Sequence, residues 1–253
     1  MTRRNDDADS QLDRDLAELK LLQIAHSYRE VLDEAARKGS SPLEVLRTLI
    51  GLEAAARQQR ALARRIREAR LPPLKTLADY DFLYPKRIPK EAIVRLFDCA
   101  FVDRHGCGVL IGPTGTGKTH LLTALAYVAC EKGYSVRYTR VVDMLNHLTA
   151  AQINGTLGKV LGAYVRPSLL LLDELGYLPI DKRGADLLFQ VVAARYESGS
   201  IVLTTNRAFK DWGTVFDVDN TLATALIDRL MHHGEALVIQ GKSYRMRDKD
   251  SDS

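Results

Sequence analysis

Eight residues near the middle of the chain have the spacing of a phosphate-binding loop. The segment from Gly112 to Thr119 reads GPTGTGKT, which fits the pattern G-x-x-x-x-G-K-[ST]. Glycines allow backbone angles that are closed to other residues, so the N–H groups of such a loop can converge on an anion. Lys118 would add a charge for the outer phosphates, and Thr119 would supply a hydroxyl ligand for Mg²⁺. The predicted nucleotide contacts are Gly112, Pro113, Thr114, Gly115, Thr116, Gly117, Lys118, Thr119 and His120.

The segments on either side of this loop strengthen the interpretation. Val109, Leu110 and Ile111 form an apolar run typical of a buried strand, and HLLTALAYVACEKG has the apolar spacing of a helix. A strand, a glycine-rich turn and a helix in this order form the context that the motif requires. The alternative, a glycine loop that fits the pattern by chance, leaves these flanks unexplained.

Two adjacent carboxylates follow a second apolar run, SLLLLDELG. The carboxyl ends of strands in an open α/β sheet face the crevice where ligands bind. Asp173 is therefore predicted to hold Mg²⁺ together with Thr119, and Glu174 to orient and deprotonate an attacking water. The alternative is an ordinary strand that ends in a charged turn.

Two further polar residues are candidates for the same chemistry. Asn206 ends the run SIVLTTN and could hydrogen-bond the attacking water or the γ-phosphate, although asparagine is also common in strand-ending turns. Arg229 lies in the helical segment TALIDRLMHHG, where a solvated arginine is the default interpretation. In a ring or filament it would instead reach a neighbouring subunit's γ-phosphate as an arginine finger.

Apolar runs and helical patterns alternate from about residue 76 onward, which predicts an α/β fold with a parallel sheet covered on both faces. The predicted strands are 108–111, 135–139, 168–172, 200–204 and 236–240. The predicted helices are 89–104, 118–132, 141–164, 183–197 and 220–232.

The first 71 residues are predicted to form a small all-helical domain. One helix is expected from Ser10 to Gly39, and its inner face is predicted to hold Leu12, Leu16, Leu19, Tyr28 and Val31. A second begins at Ser41, where Glu44 completes a capping box, and runs to about Arg70. The prolines of LPPLK end it. The predicted domains are 1–71, 72–246 and a disordered tail, 247–253.

Arginines recur along one side of the second helix. At about 100° per residue, Arg57, Arg60, Arg64 and Arg67 share a stripe, whereas Ala55, Leu62, Ile66 and Ala69 are expected to pack on the protein. Such a stripe suits a phosphate backbone, and it predicts largely non-specific binding to duplex DNA. A solvated helix face and a face for an acidic partner are the alternatives.

Composition favours a soluble, cytoplasmic protein with no membrane association. The 253 residues carry a net charge of +4 and are 46% hydrophobic, yet no apolar run reaches the roughly 18 residues of a membrane span. The N-terminus MTRRNDDADS lacks the apolar segment of a secretory signal. Three scattered cysteines do not suggest a disulfide framework.

In this order, these features resemble the AAA+ ATPases. The chain is most similar to the IstB-like proteins, ATP-binding helpers of insertion-sequence transposases, and to the related DnaC-type helicase loaders. The resemblance covers nearly the whole chain and is carried by LADYDF, GPTGTGKTHLLTALA, LLLLDELGYLPID, VLTTN and LIDRL. DELGYLP and ADYDF discriminate most between families.

The resemblance implies an AAA+ P-loop core with a five-stranded parallel sheet, no C-terminal lid, and ATP and Mg²⁺ as cofactors. It also implies a homo-oligomer that assembles on DNA and assists a cognate transposase in target-site selection or strand transfer. Tyr80 and Phe82 would lie near the adenine, and Arg245 would reach the phosphates. A replicative helicase loader and a nucleotide-switched, DNA-bound scaffold remain alternatives.

Overall fold

The computed structural model describes residues 11–84, 86–216 and 220–244, apart from the side chain of residue 220. The chain divides into two compact units, residues 1–64 and 65–253. This division falls within the third helix, whereas the predicted domain boundary lies after Leu71 and stays a prediction. The predicted tail, 247–253, lies outside the described residues.

The first unit is helical, but its first predicted helix is two helices. Helix α1 covers residues 11–18, α2 covers Leu22–Lys38, and α3 covers Pro42–Ala69. The break lies at Lys20, whose φ of 57° is left-handed and therefore incompatible with a continuing helix. Leu12 and Leu19, both predicted to face inward, are exposed, and Leu19 lies beside this break.

Two capping arrangements fix where the helices of this unit begin. The predicted capping box at α3 is confirmed, since the N–H of Ser41 donates to Oε2 of Glu44 at 2.7 Å. No side chain of its own caps the start of α2. Glu53 of α3 does so, because its Oε2 accepts from the N–H groups of Gln23 and Ile24 at 2.7 and 3.2 Å.

The second unit is built on a parallel sheet of five strands in the order β2-β3-β4-β1-β5. The strands are β1 (Cys107–Ile111), β2 (Val136–Arg140), β3 (Leu169–Leu175), β4 (Ser200–Thr205) and β5 (Gly234–Val238). Each predicted strand is confirmed to within two residues at either end, except that β3 continues three residues beyond its predicted end. The central strands β1, β3 and β4 are buried almost throughout, as expected when helices cover both faces.

Helices connect these strands, as the alternating pattern predicts. They are α4 (Lys90–Phe97), α5 (Ala100–Asp103), α6 (Lys118–Glu131), α7 (Val141–Ile153), α8 (Leu157–Val165), α9 (Lys182–Arg195), α10 (Trp212–Val215) and α11 (Asn220–His232). A 3₁₀ turn, Phe209–Asp211, precedes α10. Among the described residues no helix is long and apolar enough to cross a membrane.

Two long helices predicted from the sequence are wrong, because each is interrupted by a residue with positive φ. The predicted helix 89–104 divides into α4 and α5 at Cys99, whose φ is 58°. The predicted helix 141–164 divides into α7 and α8 next to Gly155, whose φ is 67°.

A buried arginine joins several segments of the core. Arg195, at the end of α9, is 1% exposed. Its Nη1 donates to the carbonyls of Tyr164, Val165 and Pro167 at 2.8–3.0 Å, and its Nη2 donates to those of Ser168 and Ser200 at 3.0 and 2.7 Å. Burial lowers the pKa of Arg195 to about 10, so the guanidinium stays charged at neutral pH. The carbonyl groups replace the water that this charge has lost.

The Arg195→Met substitution should destabilise the protein by about 3 kcal/mol, since buried carbonyls would lose their donor. The midpoint of urea unfolding measures this change. Arg183→Met is the matched control on the same helix, because Arg183 is exposed and surface substitutions usually cost less than about 0.5 kcal/mol. Equal midpoints for the two variants would show that the carbonyl cluster contributes nothing.

Candidate nucleotide-binding site

The loop between β1 and α6 needs its glycines because other chain segments lie against it. Gly115 and Gly117 have φ values of 84° and 81°, which strain other residues. A Cβ at Gly115 would collide with the side chain of Ser243, and one at Gly112 with the carbonyl oxygen of Ile239. A Cβ at Gly117 would lie 2.5 Å from the ring of Tyr80. The loop is therefore tightly enclosed as well as strongly curved.

Lys118 is the first residue of α6 and is 4% exposed. Its Nζ donates to the carbonyl oxygens of Gly112 and Pro113 at 2.7 and 2.8 Å, so its ammonium lies within the loop. Burial lowers the pKa of Lys118 to about 8, and the Asp173 carboxylate partly opposes this effect. A phosphate beside the ammonium would favour its charged form.

The carboxylate of Asp173 accepts hydrogen bonds from three hydroxyl groups that belong to three different elements. Thr119 of α6 donates to Oδ1 at 3.1 Å, Tyr138 of β2 donates to Oδ2 at 2.8 Å, and Thr204 of β4 donates to Oδ1. Asp173 is 1% exposed. Burial, followed by the Asp173 charge, raises the pKa of Tyr138, so its phenol remains a donor. The two predicted metal ligands, Thr119 and Asp173, are thus brought together.

Glu174 occupies a strained position at the end of β3. Its φ is 64°, and the β3–β4 pairing shifts register between Leu172 and Leu175. The N–H of Glu174 donates to Oγ1 of Thr204 at 2.9 Å, and this hydroxyl in turn donates to Asp173. Strained backbone and bulges are frequent beside active sites. Here the bulge leaves Asp173 buried and brings Glu174 to the wall of the neighbouring cavity.

A cavity of about 540 Å³ lies over the loop. Every loop residue from Thr114 to His120 lines it, and Glu174 contributes to the same lining. Among the described residues Asp173 and Asn206 are not part of its lining. Its volume falls in the usual range of about 300–1,000 Å³ for small-molecule sites.

Aromatic residues form much of the remaining wall. Tyr80 donates from its hydroxyl to the carbonyl oxygen of Thr116 at 2.8 Å, and burial raises its pKa to about 12. Phe82, predicted with Tyr80 to contact the adenine, does not line the cavity; it packs edge-on against Tyr80 at 4.9 Å. His120 bonds the carbonyl oxygen of Thr76 at 2.7 Å. The remaining aromatic lining residues are Tyr84, Tyr177 and Tyr244.

The segment after β5 closes one side of the loop. The N–H of Tyr244 donates to the carbonyl oxygen of Gly115 at 2.9 Å, and Tyr84 donates from its hydroxyl to the carbonyl oxygen of Ser243 at the same distance. Among the described residues no α-helix follows β5. Arg245, predicted to reach the phosphates, lies outside the described residues.

The two remaining catalytic candidates occupy different surroundings. Asn206 follows β4, and its Oδ1 is buried without a hydrogen-bond partner. Arg229 lies in α11, where its Nη1 donates to the carbonyl oxygen of Ala225 at 3.1 Å and its guanidinium covers the ring of Phe189 at 4.6 Å. It lines a small cleft beside Cys107, at the start of β1, whereas the phosphate loop follows the end of that strand. Arg229 therefore does not reach the cavity of its own chain.

The four arginines of the predicted DNA-binding stripe are all exposed on α3. Arg60 differs from the others because it pairs with Glu53 at 2.7 Å. Glu53 caps α2, so Arg60 has a structural role. Ala55, predicted to pack on the protein, is exposed, whereas Ala69 is fully buried.

Sequence reasoning missed Tyr138 and the bridging role of Thr204. Tyr138 belongs to none of the motifs, and Thr204 belongs to VLTTN without its role being evident there, since both act through contacts between neighbouring strands. The parallel register aligns Tyr138 with Leu171 and Arg140 with Asp173. A sequence-based pairing of β2 with β3 could have indicated that Tyr138 lies near the carboxylate.

Comparison with known proteins gives a consistent result over most of the chain. A family model described as IstB-like ATP binding protein matches residues 14–252. The putative ATP-binding protein of insertion sequence IS21 from Pseudomonas aeruginosa is 38% identical over 234 residues, which cover 92% of this chain and 88% of that protein. The corresponding protein of IS232 from Bacillus thuringiensis subsp. berliner is 37% identical over 238 residues, which cover 94% and 95%.

A solved structure agrees with the fold. The crystal structure of the DnaC helicase loader has a TM-score of 0.54 at 20% identity and covers 64% of this chain and 97% of that one. With the strand order above, this likeness gives the core the AAA+ P-loop fold that the sequence predicts. The match to the family model, together with the identity to the insertion-sequence proteins, shows that this chain belongs to the family of IstB-like ATP binding proteins.

Proposed function

We propose that this protein is a Mg²⁺-dependent ATPase that assembles on DNA and assists a transposase in target-site selection or strand transfer. The observation that carries the ATPase is the joint position of three groups. The Asp173 carboxylate lies under the Thr119 hydroxyl of the phosphate loop, and Glu174 lines the cavity beside them. The ATP-binding description of the family supports the same nucleotide.

The loop and cavity fit a nucleoside triphosphate. Each of the three glycines occupies a place where a Cβ would meet another group, so the loop backbone itself would face the phosphates. The N-terminus of α6 adds its dipole and N–H groups for an anion. Lys118 would exchange its bonds to the loop carbonyls for bonds to the outer phosphates.

The oxygen groups present also fit Mg²⁺, which prefers hard oxygen ligands and keeps several waters. Thr119 would hold the ion directly, and Asp173 would hold it through water. The bound ion would neutralise charge that develops on the phosphates. This chain's contribution is to hold the Asp173 carboxylate in place with three hydroxyl donors.

Glu174 is the proposed general base. Its backbone is fixed by the hydrogen bond to Thr204, so its carboxylate is held on the cavity wall where it can orient a water and accept its proton. Asn206 offers an unpaired amide oxygen at the end of the adjacent strand. It would help to orient the same water.

The arginines of α3 support the DNA part of the proposal, and the similar proteins support the transposase part. The arginines of α3 provide an exposed cationic stripe for the backbone. The relatives at 37–38% identity are named as insertion-sequence proteins. The DnaC likeness concerns the fold at 20% identity, so transposition is better supported than helicase loading.

Arg229 is proposed to act in a neighbouring subunit. It lies at the far end of the sheet from the phosphate loop of its own chain. In a ring or filament this position is suitable for reaching the next subunit's cavity. Turnover would then depend on assembly, and DNA would promote it by collecting subunits.

The Glu174→Gln substitution should leave ATP binding intact and lower the rate of phosphate release by about 10²–10⁴-fold, the usual contribution of a general base. Glutamine is nearly the same shape but cannot accept the proton. ATP affinity and steady-state turnover are measured in parallel. Glu131→Gln, at the exposed end of α6, is the control. If the Glu174 variant hydrolyses ATP at the native rate, another residue is the general base.

Replacing Arg57, Arg64 and Arg67 by alanine should flatten the slope of log affinity against log salt for duplex DNA by about 2–3, because each phosphate contact contributes about 0.9. Arg60 is retained because it stabilises Glu53. Replacing Arg104, Lys132 and Arg183, which are also exposed, removes the same charge from elsewhere. If the two triple variants have identical slopes, the stripe contributes only through its charge and does not contact the DNA backbone specifically.

A mixing experiment tests the role of Arg229. The Arg229→Ala variant should bind ATP yet lose about 10³-fold or more of its DNA-stimulated turnover. Mixed with Glu174→Gln, which keeps its arginine, it should regain activity at interfaces that pair an intact site with an intact arginine. If the Arg229 variant alone keeps full turnover, Arg229 does not act in catalysis and only packs over Phe189.

A further inference from the structure

A second polar cleft lies along the outer edge of the sheet, at strand β2. Its volume is about 480 Å³. Within residues 11–84, 86–216 and 220–244, strand β2 pairs only with β3, so no other described strand covers this edge. The charged and aromatic groups that line the cleft are Arg70, Arg137, Arg140, Asp143, His147 and Tyr164.

The charge balance of the cleft is positive. The lining holds three guanidinium groups and one carboxylate, so arginines outnumber acidic residues. Asp143 is already engaged, because it accepts from Nε and Nη2 of Arg140 at 2.8 and 3.0 Å. In the part of the chain that the structure describes, Arg70 and Arg137 form no ion pair. Their charges are therefore available to an anion.

Arg137 has an unmet hydrogen-bonding capacity. Its Nε is buried and has no hydrogen-bond partner. Its guanidinium lies over the ring of Tyr164 at 5.5 Å, and the hydroxyl of Tyr164 is fixed by Nδ1 of His147 at 2.8 Å. A buried donor without a partner calls for an explanation such as a bound ion. A phosphate in the cleft would pair with the Arg137 guanidinium, since guanidinium donors match phosphate geometry.

The cleft is distinct from the nucleotide cavity. The two share only Pro72 among their lining residues. Tyr138 stands between them, because it lines the edge cleft while its hydroxyl donates to Asp173. The phosphates of a nucleotide over the loop are therefore not the ligand of this second site.

We propose that this edge cleft binds a phosphate of a nucleic-acid backbone. The inference rests on the proposed function and adds a second contact region within the ATPase core. Arg70 follows Arg67 of the arginine stripe by three residues and comes directly after α3 ends at Ala69. The cleft therefore begins where the arginine-rich segment ends. The cleft is also much larger than one phosphate group, which favours a chain of phosphates over a free ion.

The test uses the full chain and a labelled duplex oligonucleotide. The double substitution Arg70→Gln and Arg137→Gln should weaken binding and flatten the salt slope by about 1–2, the loss of one or two phosphate contacts. Arg104→Gln with Arg183→Gln removes equal charge from exposed positions outside the cleft and should change the slope less. Arg70→Lys with Arg137→Lys keeps the charges and should restore most of the slope.

ATP affinity, the urea midpoint and the binding of other anions are measured beside the salt slope. ATP affinity and the urea midpoint must match those of the native chain, which separates a lost contact from a damaged fold. If the double glutamine variant is unstable, the single substitution Arg70→Gln at an exposed position replaces it and should flatten the slope by about 0.9; an unchanged slope in that variant overturns the proposal. A native slope in a folded glutamine variant overturns the proposal. It is also overturned if the variant loses binding to inorganic phosphate or to polyglutamate while its DNA affinity stays native, because the cleft would then take a free anion or an acidic protein segment.

Failure of the cleft is distinguishable from failure of the proposed function. If the native chain binds the duplex and the double variant binds it with the same salt slope, only the cleft assignment falls. If the native chain shows no affinity for the duplex at any salt concentration, both the DNA-binding part of the proposed function and the edge-cleft assignment fall.

Discussion

The buried carboxylate of Asp173 constrains the geometry of the whole site. A carboxylate removed from water is costly unless donors replace its hydration. Here the donors are the hydroxyl groups of Thr119, Tyr138 and Thr204. They come from α6, β2 and β4, so meeting the needs of one charge fixes four elements relative to one another. Because Thr119 directly follows Lys118, the same contacts fix the end of the phosphate loop.

Thr204 connects the fixed position of Asp173 to the next residue, Glu174. Its hydroxyl donates to Asp173 and accepts from the N–H of Glu174. The left-handed backbone at Glu174 would cost about 1–3 kcal/mol in isolation, and this hydrogen bond helps to hold it. As a result, two adjacent residues differ in their access to water. Asp173 stays buried as a fixed negative charge, while Glu174 reaches the cavity, where a base must meet water.

The sequence predicts the elements that depend on local residue patterns. It does not predict helix breaks and side-chain roles that depend on contacts between segments distant in the chain. All five strands follow from apolar runs, and the phosphate loop follows from its spacing. The helix breaks at Lys20 and Cys99 could not be predicted, because both residues are non-glycine with positive φ and such positions are set by packing. Glu53 has the appearance of a surface countercharge to the arginines, yet it caps α2. Arg195 likewise resembles an ordinary helix-end cation until the surrounding carbonyls are known.

A parallel sheet has two unlike ends, and this asymmetry underlies the proposal that assembly completes the site. The phosphate loop, Asp173 and Glu174 follow the carboxyl ends of their strands, whereas Arg229 lies beside Cys107 at the beginning of β1. Five strand residues separate the two ends, or roughly 16 Å at about 3.3 Å per residue, which is beyond the reach of one arginine side chain. No rotamer change within a subunit removes that separation, because α11 packs against β1 and α9. An arginine at this end can serve catalysis only across an interface, so the rigidity of the sheet would itself make ATP turnover a property of the assembled protein.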